Sequence, residues 1–299
     1  MEPPQTPVID AIDMEILMHR DAHFGGNFEV MIEYYEQKGV GVMPDFEVQE
    51  IKRLQNLEHE IQQNLSEIYL PEPAKKIVDD SQKLYQTLRD VYSGDAQDKM
   101  SILLSDLILS EELVPTNEIQ ALVDQKETAV PALIHLLSAP SYYEPIYPGY
   151  GRAPIFAAKC LSQIQDERAI PPLFEAIGQE NFFTDEEIIY ALRAFGNKAK
   201  TFLFQRLKSK PLSKDNEHAA IALSAFPEDP EIAQSALEVL LYEETLKRPS
   251  LASYLIFACN DLTEAKDQQA FINLAKKKSV PKALCDEMQL IIKNWKKTT

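Results

Sequence analysis

From about Ile12 to Val91 the apolar residues fall three and four positions apart, as in Ile51, Leu54, Leu57, Ile61, Leu65 and Ile68. Turn signals at Gly25-Gly26, Gly39-Val40-Gly41 and Leu70-Pro71-Glu72-Pro73 interrupt the pattern. Such spacing puts one apolar stripe on each of a series of helices, and the glycines and prolines mark where each stops. It predicts helices near 10–23, 27–38, 45–69, 73–93, 96–112 and 115–125. No run in this stretch alternates with period two for long enough to predict a strand. The expected class is therefore all-α.

After about Val114 the predicted helices shorten and a repeat emerges. The segment AVPALIHLL (129–137) aligns with AIPPLFEAI (169–177), AKTFLFQRL (199–207) and IAQSALEVL (232–240). A second column holds Leu161, Leu192, Leu223 and Leu255, at spacings of 31, 31 and 32 residues. Ala157, Ile188, Ala219 and Leu251 lie four residues before it, and Ile164, Phe195, Phe226 and Ala258 three residues after. Two columns sharing one period identify a helix-pair repeat, because a lone amphipathic helix does not reproduce its neighbour's register. Asp166 and Asp229, with Asn197 one residue closer, are placed to cap the second helix of a pair, and Pro171 and Pro172 fall in its first turn.

The stretch APIFAAKCLSQIQDERAIPPLFEAIG (153–178) resembles the HEAT family, in particular the short HEAT-like repeats first associated with phycobilisome lyases. The likeness covers roughly residues 115–277 and implies an α-solenoid in which the core exists only when pairs stack. It divides the chain into an N-terminal helical region, 8–113, and a HEAT-like array with a C-terminal capping helix, 114–299. The last repeat, AKDQQAFINLAKKK (265–278), keeps part of the pattern, and helix 281–295 closes the core through Leu284, Met288 and Ile291. Lys293, Lys296 and Lys297 would lie near that helix's C-terminal carbonyls, where a positive charge is favourable.

Three features carry candidate chemistry. The sixth position past each aligned start gives His135, Glu175, Gln205 and Glu238, a polar ladder on the helices that line the concave side of such arrays. With Phe202 and Arg206 as anchors it suits a peptide or protein partner, although an amphipathic helix also needs a wet face. The insertion SAPSYYEPIYPGYGRAP (138–154) holds Tyr142, Tyr143, Tyr147 and Tyr150 among prolines that stiffen it. Its rings either meet a partner or fold back over the groove between helix pairs. Glu15, His19 and His23, four residues apart on one helical face, could ligate a metal, or the histidines could simply sit near a helix C-terminus.

Composition narrows the picture. The 299 residues hold 30 Lys+Arg against 47 Asp+Glu, a net charge of −17, which opposes a phosphate-tracking surface and hence nucleic acid. Residues 266–299 hold eight lysines and three acids, a net +5, leaving −22 for the rest. An anionic partner or lipid surface would suit that segment, as would a solvated terminal cap. No secretory signal, spanning segment, P-loop, G-x-S-x-G, G-x-G-x-x-G or paired-cysteine ligand set is evident, and no cofactor is implied. Cys160, Cys259 and Cys285 read as small hydrophobes in a reducing compartment. The expectation is a monomeric cytoplasmic scaffold that binds a basic or amphipathic protein segment. The alternative is a lyase-like or metal-dependent enzyme or maturation factor using Glu15, His19 and His23.

Overall fold

The computed structural model describes residues 9–93, 98–179, 182–226 and 229–298, without the side chains of residues 182, 183 and 296–298. Lys296 and Lys297 therefore lie outside the described side chains, and residues 1–8 outside the description altogether. Among the described residues every regular element is helical. The helices are α1 (Ala11–Phe24), α2 (Phe28–Glu36), α3 (Val48–Ile61), α4 (Leu65–Tyr69), α5 (Glu72–Asp90), α6 (Lys99–Ile108), α7 (Thr116–Val123) and α8 (Val130–Ser138). They continue as α9 (Ala153–Ile164), α10 (Ile170–Glu175), α11 (Phe182–Ala194), α12 (Asn197–Leu207), α13 (Lys214–Leu223) and α14 (Pro230–Leu240). The last three are α15 (Pro249–Ala258), α16 (Ala265–Ala275) and α17 (Lys282–Thr298). No helix is long and apolar enough to cross a membrane among the described residues.

Two compact units divide at 160/161, within α9, rather than at the expected 113/114. The reason lies in the 138–154 insertion, whose backbone accepts hydrogen bonds from His23 and Ser81 and so ties the first repeat to the N-terminal helices.

In the first unit α1 packs on α2, α3, α4 and α5. Its start is fixed by a reciprocal capping box between Asp10 and Asp13, and its end by Gly25 in the left-handed region. Ile16, Leu17, Met31, Ile51, Leu54 and Leu65 form the dry centre of the core. Among them lies Arg20, with 0% of its surface exposed. Its Nη1 donates to Glu58 at 2.7 Å, and its Nε donates to Asp21 at 2.7 Å. Nη2 reaches Ser66 Oγ at 2.9 Å and Asn64 Oδ1 at 3.2 Å, and the guanidinium stands 4.4 Å from the Phe28 ring centroid. A buried guanidinium needs all its donors met.

That demand breaks the helix expected over 45–69. Gln62 turns left-handed at φ 54° and ends α3, and Asn64 then caps α4 through Ser66 N–H at 2.8 Å. The Glu58 carboxylate also accepts Leu65 N–H at 2.8 Å, so one side chain bridges the guanidinium and the new helix start.

In the second unit α13 packs on α11 and α15, and α15 packs on α13 and α17, while α10, α12, α14 and α16 pack on α11, α13, α15 and α17 respectively. The aligned columns account for this packing. Ala169, Leu173 and Ile177 are buried, as are Ala199, Leu203 and Leu207, and Ile232, Ala236 and Leu240. Ile188 with Leu192, Ala219 with Leu223, and Leu251 with Leu255 are buried likewise. Asp229 caps α14 as expected, accepting Glu231 N–H at 3.0 Å, whereas Asp166 accepts Arg168 N–H at 2.9 Å and caps the short 3-10 turn Glu167–Ala169 that leads into α10. Asn197 does not: it is already the first residue of α12, and Gly196 at φ 58° occupies the cap position. Asn216, fully buried, donates to the carbonyls of Arg206, Leu207 and Ser209 and accepts Ser213 N–H at 2.7 Å, locking α12 to α13. Leu284, Met288 and Ile291 of α17 are buried against α15 and α16.

Removing the Arg20 guanidinium strands two carboxylates, an amide and a hydroxyl. Arg20→Ala is expected to lower stability by about 3–5 kcal/mol in a urea titration, and Arg20→Lys by a large part of that because an ammonium cannot replace the fork. A loss below about 1 kcal/mol for Arg20→Ala would contradict the role given to this side chain.

Candidate functional site

The densest polar arrangement lies in the first unit, around His23 at the end of α1. Its Nε2 is 3.0 Å from the carbonyl oxygen of Pro145 and its Nδ1 is 2.7 Å from Tyr85 Oη. A carbonyl only accepts, so Nε2 carries the proton and donates, and Nδ1 is left to accept the phenolic proton of Tyr85. Burial of the ring, reinforced by the nearby His19, pushes the His23 pKa down to about 3 against the pull of the Pro145 carbonyl. Burial alone takes His19 down to about 4. Both imidazoles are neutral at pH 7.

Beside His23 stands Tyr150, with ring centroids 4.8 Å apart. Tyr150 sits at φ 56° between Gly149 at φ 87° and Gly151 at φ 75°. Holding a non-glycine residue left-handed costs on the order of 1 kcal/mol, and this turn sends the ring inward. Its hydroxyl donates to Glu111 Oε1 at 3.1 Å, and Tyr34 Oη donates to Glu111 Oε2 at 2.8 Å. Tyr34 Oη in turn accepts Gly41 N–H at 2.9 Å. A β-carbon on Gly41 would stand 2.3 Å from the Tyr150 ring, and one on Gly39 would stand 2.2 Å from the Tyr34 ring. Those two glycines let the backbone lie flat on the aromatic cluster. Burial raises the pKa of Tyr85 and Tyr150, so both phenols keep their protons. His23, Tyr85, Tyr150, Glu111, Gly149 and Arg89 line a cavity of about 160 Å³ together with Ile108 and Leu109.

This geometry replaces the expected metal set. Glu15 is exposed whereas His19 is buried, and both nitrogens of His23 are committed to Tyr85 and Pro145. Among the described residues no three His, Cys, Asp or Glu side chains converge as a metal site.

The tyrosine loop folds back. Tyr150 joins the cluster, Tyr143 Oη donates to the Leu137 carbonyl at 2.7 Å, and Tyr142 and Tyr147 are half-buried. Of the two readings of this loop, the structure favours the rings folding back, with Tyr150 resting on His23 of α1 and Tyr34 of α2 rather than over a groove between helix pairs.

The polar ladder keeps its expected exposure. Glu175, Gln205 and Glu238 are exposed on α10, α12 and α14 of the second unit, and His135 is exposed on α8 of the first. Glu238 is held by Lys208 at 2.7 Å, so its charge is partly answered. Phe202 and Arg206 are half-buried: the guanidinium stands 5.0 Å from the Phe202 centroid and 5.6 Å from that of Phe174, and the two rings meet edge-on at 5.5 Å.

Sequence reading missed Arg20, Tyr34, Tyr85, Arg89 and Glu111. Apart from Arg89, which meets Tyr85 four residues before it, their main partners lie tens of residues away, where spacing carries no signal; only Gly39 and Gly41 hinted at a close approach. Comparison with protein-family models, with curated proteins and with solved structures gives no match.

The depressed histidine pKa values make stability depend on pH. Below the ordinary value of 6.5 the unfolded chain takes up protons that folded His19 and His23 refuse, so stability present above pH 6.5 is lost as pH falls toward 4. The slope is about 1.4 kcal/mol per pH unit for each ring. His23→Gln, whose amide can still accept from Tyr85 and donate to Pro145, is expected to remove about half of the slope between pH 6 and 5, read from urea midpoints. Equal slopes in the two proteins would contradict a neutral buried His23.

Proposed function

We propose that the chain is a non-enzymatic scaffold in which a run of HEAT-like helix pairs, an α-solenoid, holds a basic or amphipathic protein segment. The observation that carries this reading is the shared register of α10, α12 and α14. Along α12 and α14, and along α10 together with the turns that flank it, the aligned start and the positions four and eight residues on are buried, whereas the sixth position, Glu175, Gln205 or Glu238, is exposed. Repeated helices that present one equivalent position to solvent form a ridge, and a ridge with an aromatic anchor is a common binding surface of stacked-repeat proteins. Phe202 and Arg206, both half-buried, with the guanidinium 5.0 Å from the Phe202 centroid and the ring braced edge-on by the buried Phe174, supply the anchor.

Charge supports the choice of partner. A basic segment is steered toward an acidic chain and repelled least at Glu175, which forms no ion pair among the described residues, whereas Glu238 meets Lys208 at 2.7 Å. All three cysteines are free, with Cys160 and Cys259 buried, as suits a protein that works in a reducing cytoplasm.

A photo-cross-linking residue at Gln205, compared with one at Tyr254 on the exposed side of α15, tests the reading in an extract of the source cells. The Gln205 probe is expected to trap a discrete partner that the Tyr254 probe does not. Glu175→Lys should weaken capture by about tenfold at unchanged melting temperature, and Phe202→Ala by about as much with some loss of stability, because its ring packs on Phe174. Equal trapping from both positions, or capture indifferent to both substitutions, would refute the ridge.

A further inference from the structure

We infer that the cavity bounded by His23, Tyr85, Glu111 and Tyr150 binds a small organic cation, an alkylammonium head group. The inference rests on where each proton in the cluster goes. Each phenol has one proton to give. Tyr85 gives its proton to His23 Nδ1, while Tyr150 and Tyr34 give theirs to the two oxygens of Glu111. His23 spends its single N–H on the Pro145 carbonyl. What these side chains have left to offer the cavity is lone pairs, the Glu111 carboxylate and the faces of aromatic rings. A wall of acceptors and π-faces favours a ligand that is positively charged and rich in donors.

The structure already shows this preference at work. The exposed Arg89 side chain, the one cationic group in the lining, places its guanidinium carbon 5.4 Å from the Tyr85 ring centroid. It is a resident cation on the ring an incoming cation would use. The cavity's volume of about 160 Å³ leaves room for a primary or methylated ammonium. A hard metal ion is a poor fit, because one carboxylate and no free imidazole nitrogen make a weak ligand set. A soft, diffuse charge matched by rings and one carboxylate is not so limited. All its lining residues belong to the first unit, so the site needs nothing from the ridge of the second.

Calorimetry with the full chain tests this directly. Butylammonium and tetramethylammonium chlorides are expected to bind saturably in the millimolar range, and 1-butanol not at all. Glu111→Gln, which keeps a hydrogen-bonding side chain, should weaken binding about tenfold, whereas Arg89→Ala should tighten it about threefold by removing the competing cation. The opposite signs keep the test decisive even if one variant folds poorly. A lysine-bearing peptide, acetyl-Gly-Lys-Gly-amide, distinguishes the sources: binding equal to that of butylammonium assigns the ligand to a protein side chain, and binding by the free amines alone assigns it to a small molecule. No saturable heat, an equal response to butanol, or weaker binding in Arg89→Ala would overturn the inference.

Discussion

The Pro145 carbonyl can only accept a hydrogen bond, and much of the first unit follows from that. It fixes the proton of His23 on Nε2, which leaves Nδ1 as an acceptor and obliges Tyr85 to donate. With Tyr85 so oriented, and with Tyr34 and Tyr150 both turned to Glu111, hydrogen bonds join α1, α2, α5 and the 138–154 loop. The arrangement requires a neutral imidazole, and burial supplies it by holding the His23 pKa at about 3. A ring that became cationic at ordinary pH would present a donor to Tyr85 in place of an acceptor, and the cavity would lose its character.

Beneath this seam the Arg20 cluster sets where the helices are. Its guanidinium engages Asp21, Glu58, Asn64 and Ser66 from α1, α3 and the start of α4, so the break between α3 and α4 and the approach of both to α1 have a single cause. The second unit relies on a different device. Small and branched residues recur in columns along successive helices, and buried polar groups are few; Asn216 is the clearest, joining the end of α12 to the start of α13. One unit is organised by long-range polar contacts and the other by a local repeat.

That difference decides how much of each was legible in the sequence. In the second unit the buried columns, the cap at Asp229 and the exposed Glu175, Gln205 and Glu238 all follow from spacing, because helix periodicity is a local property. In the first unit helix existence was legible but its interruptions were not. Gln62 and Asn64 look like ordinary helix residues until Arg20, over forty positions away, claims their neighbourhood. The candidate site was legible only in fragments: His23 and Tyr150 stood out, and Tyr85 and Glu111, which decide what those two do, did not. The Glu15, His19 and His23 spacing was real, but exposure on one side and prior engagement on the other separate its members.

The central claim is that His23 is a neutral ring with its proton on Nε2, and long-range proton–nitrogen correlation spectra of the folded protein read that state without perturbing it. The expected result is one Nε2-protonated imidazole whose Nδ1 resonates as a hydrogen-bond acceptor and whose shifts do not move between pH 7.5 and about 5, in keeping with a pKa near 3. An imidazolium pattern at pH 6, or a proton on Nδ1, would contradict the account.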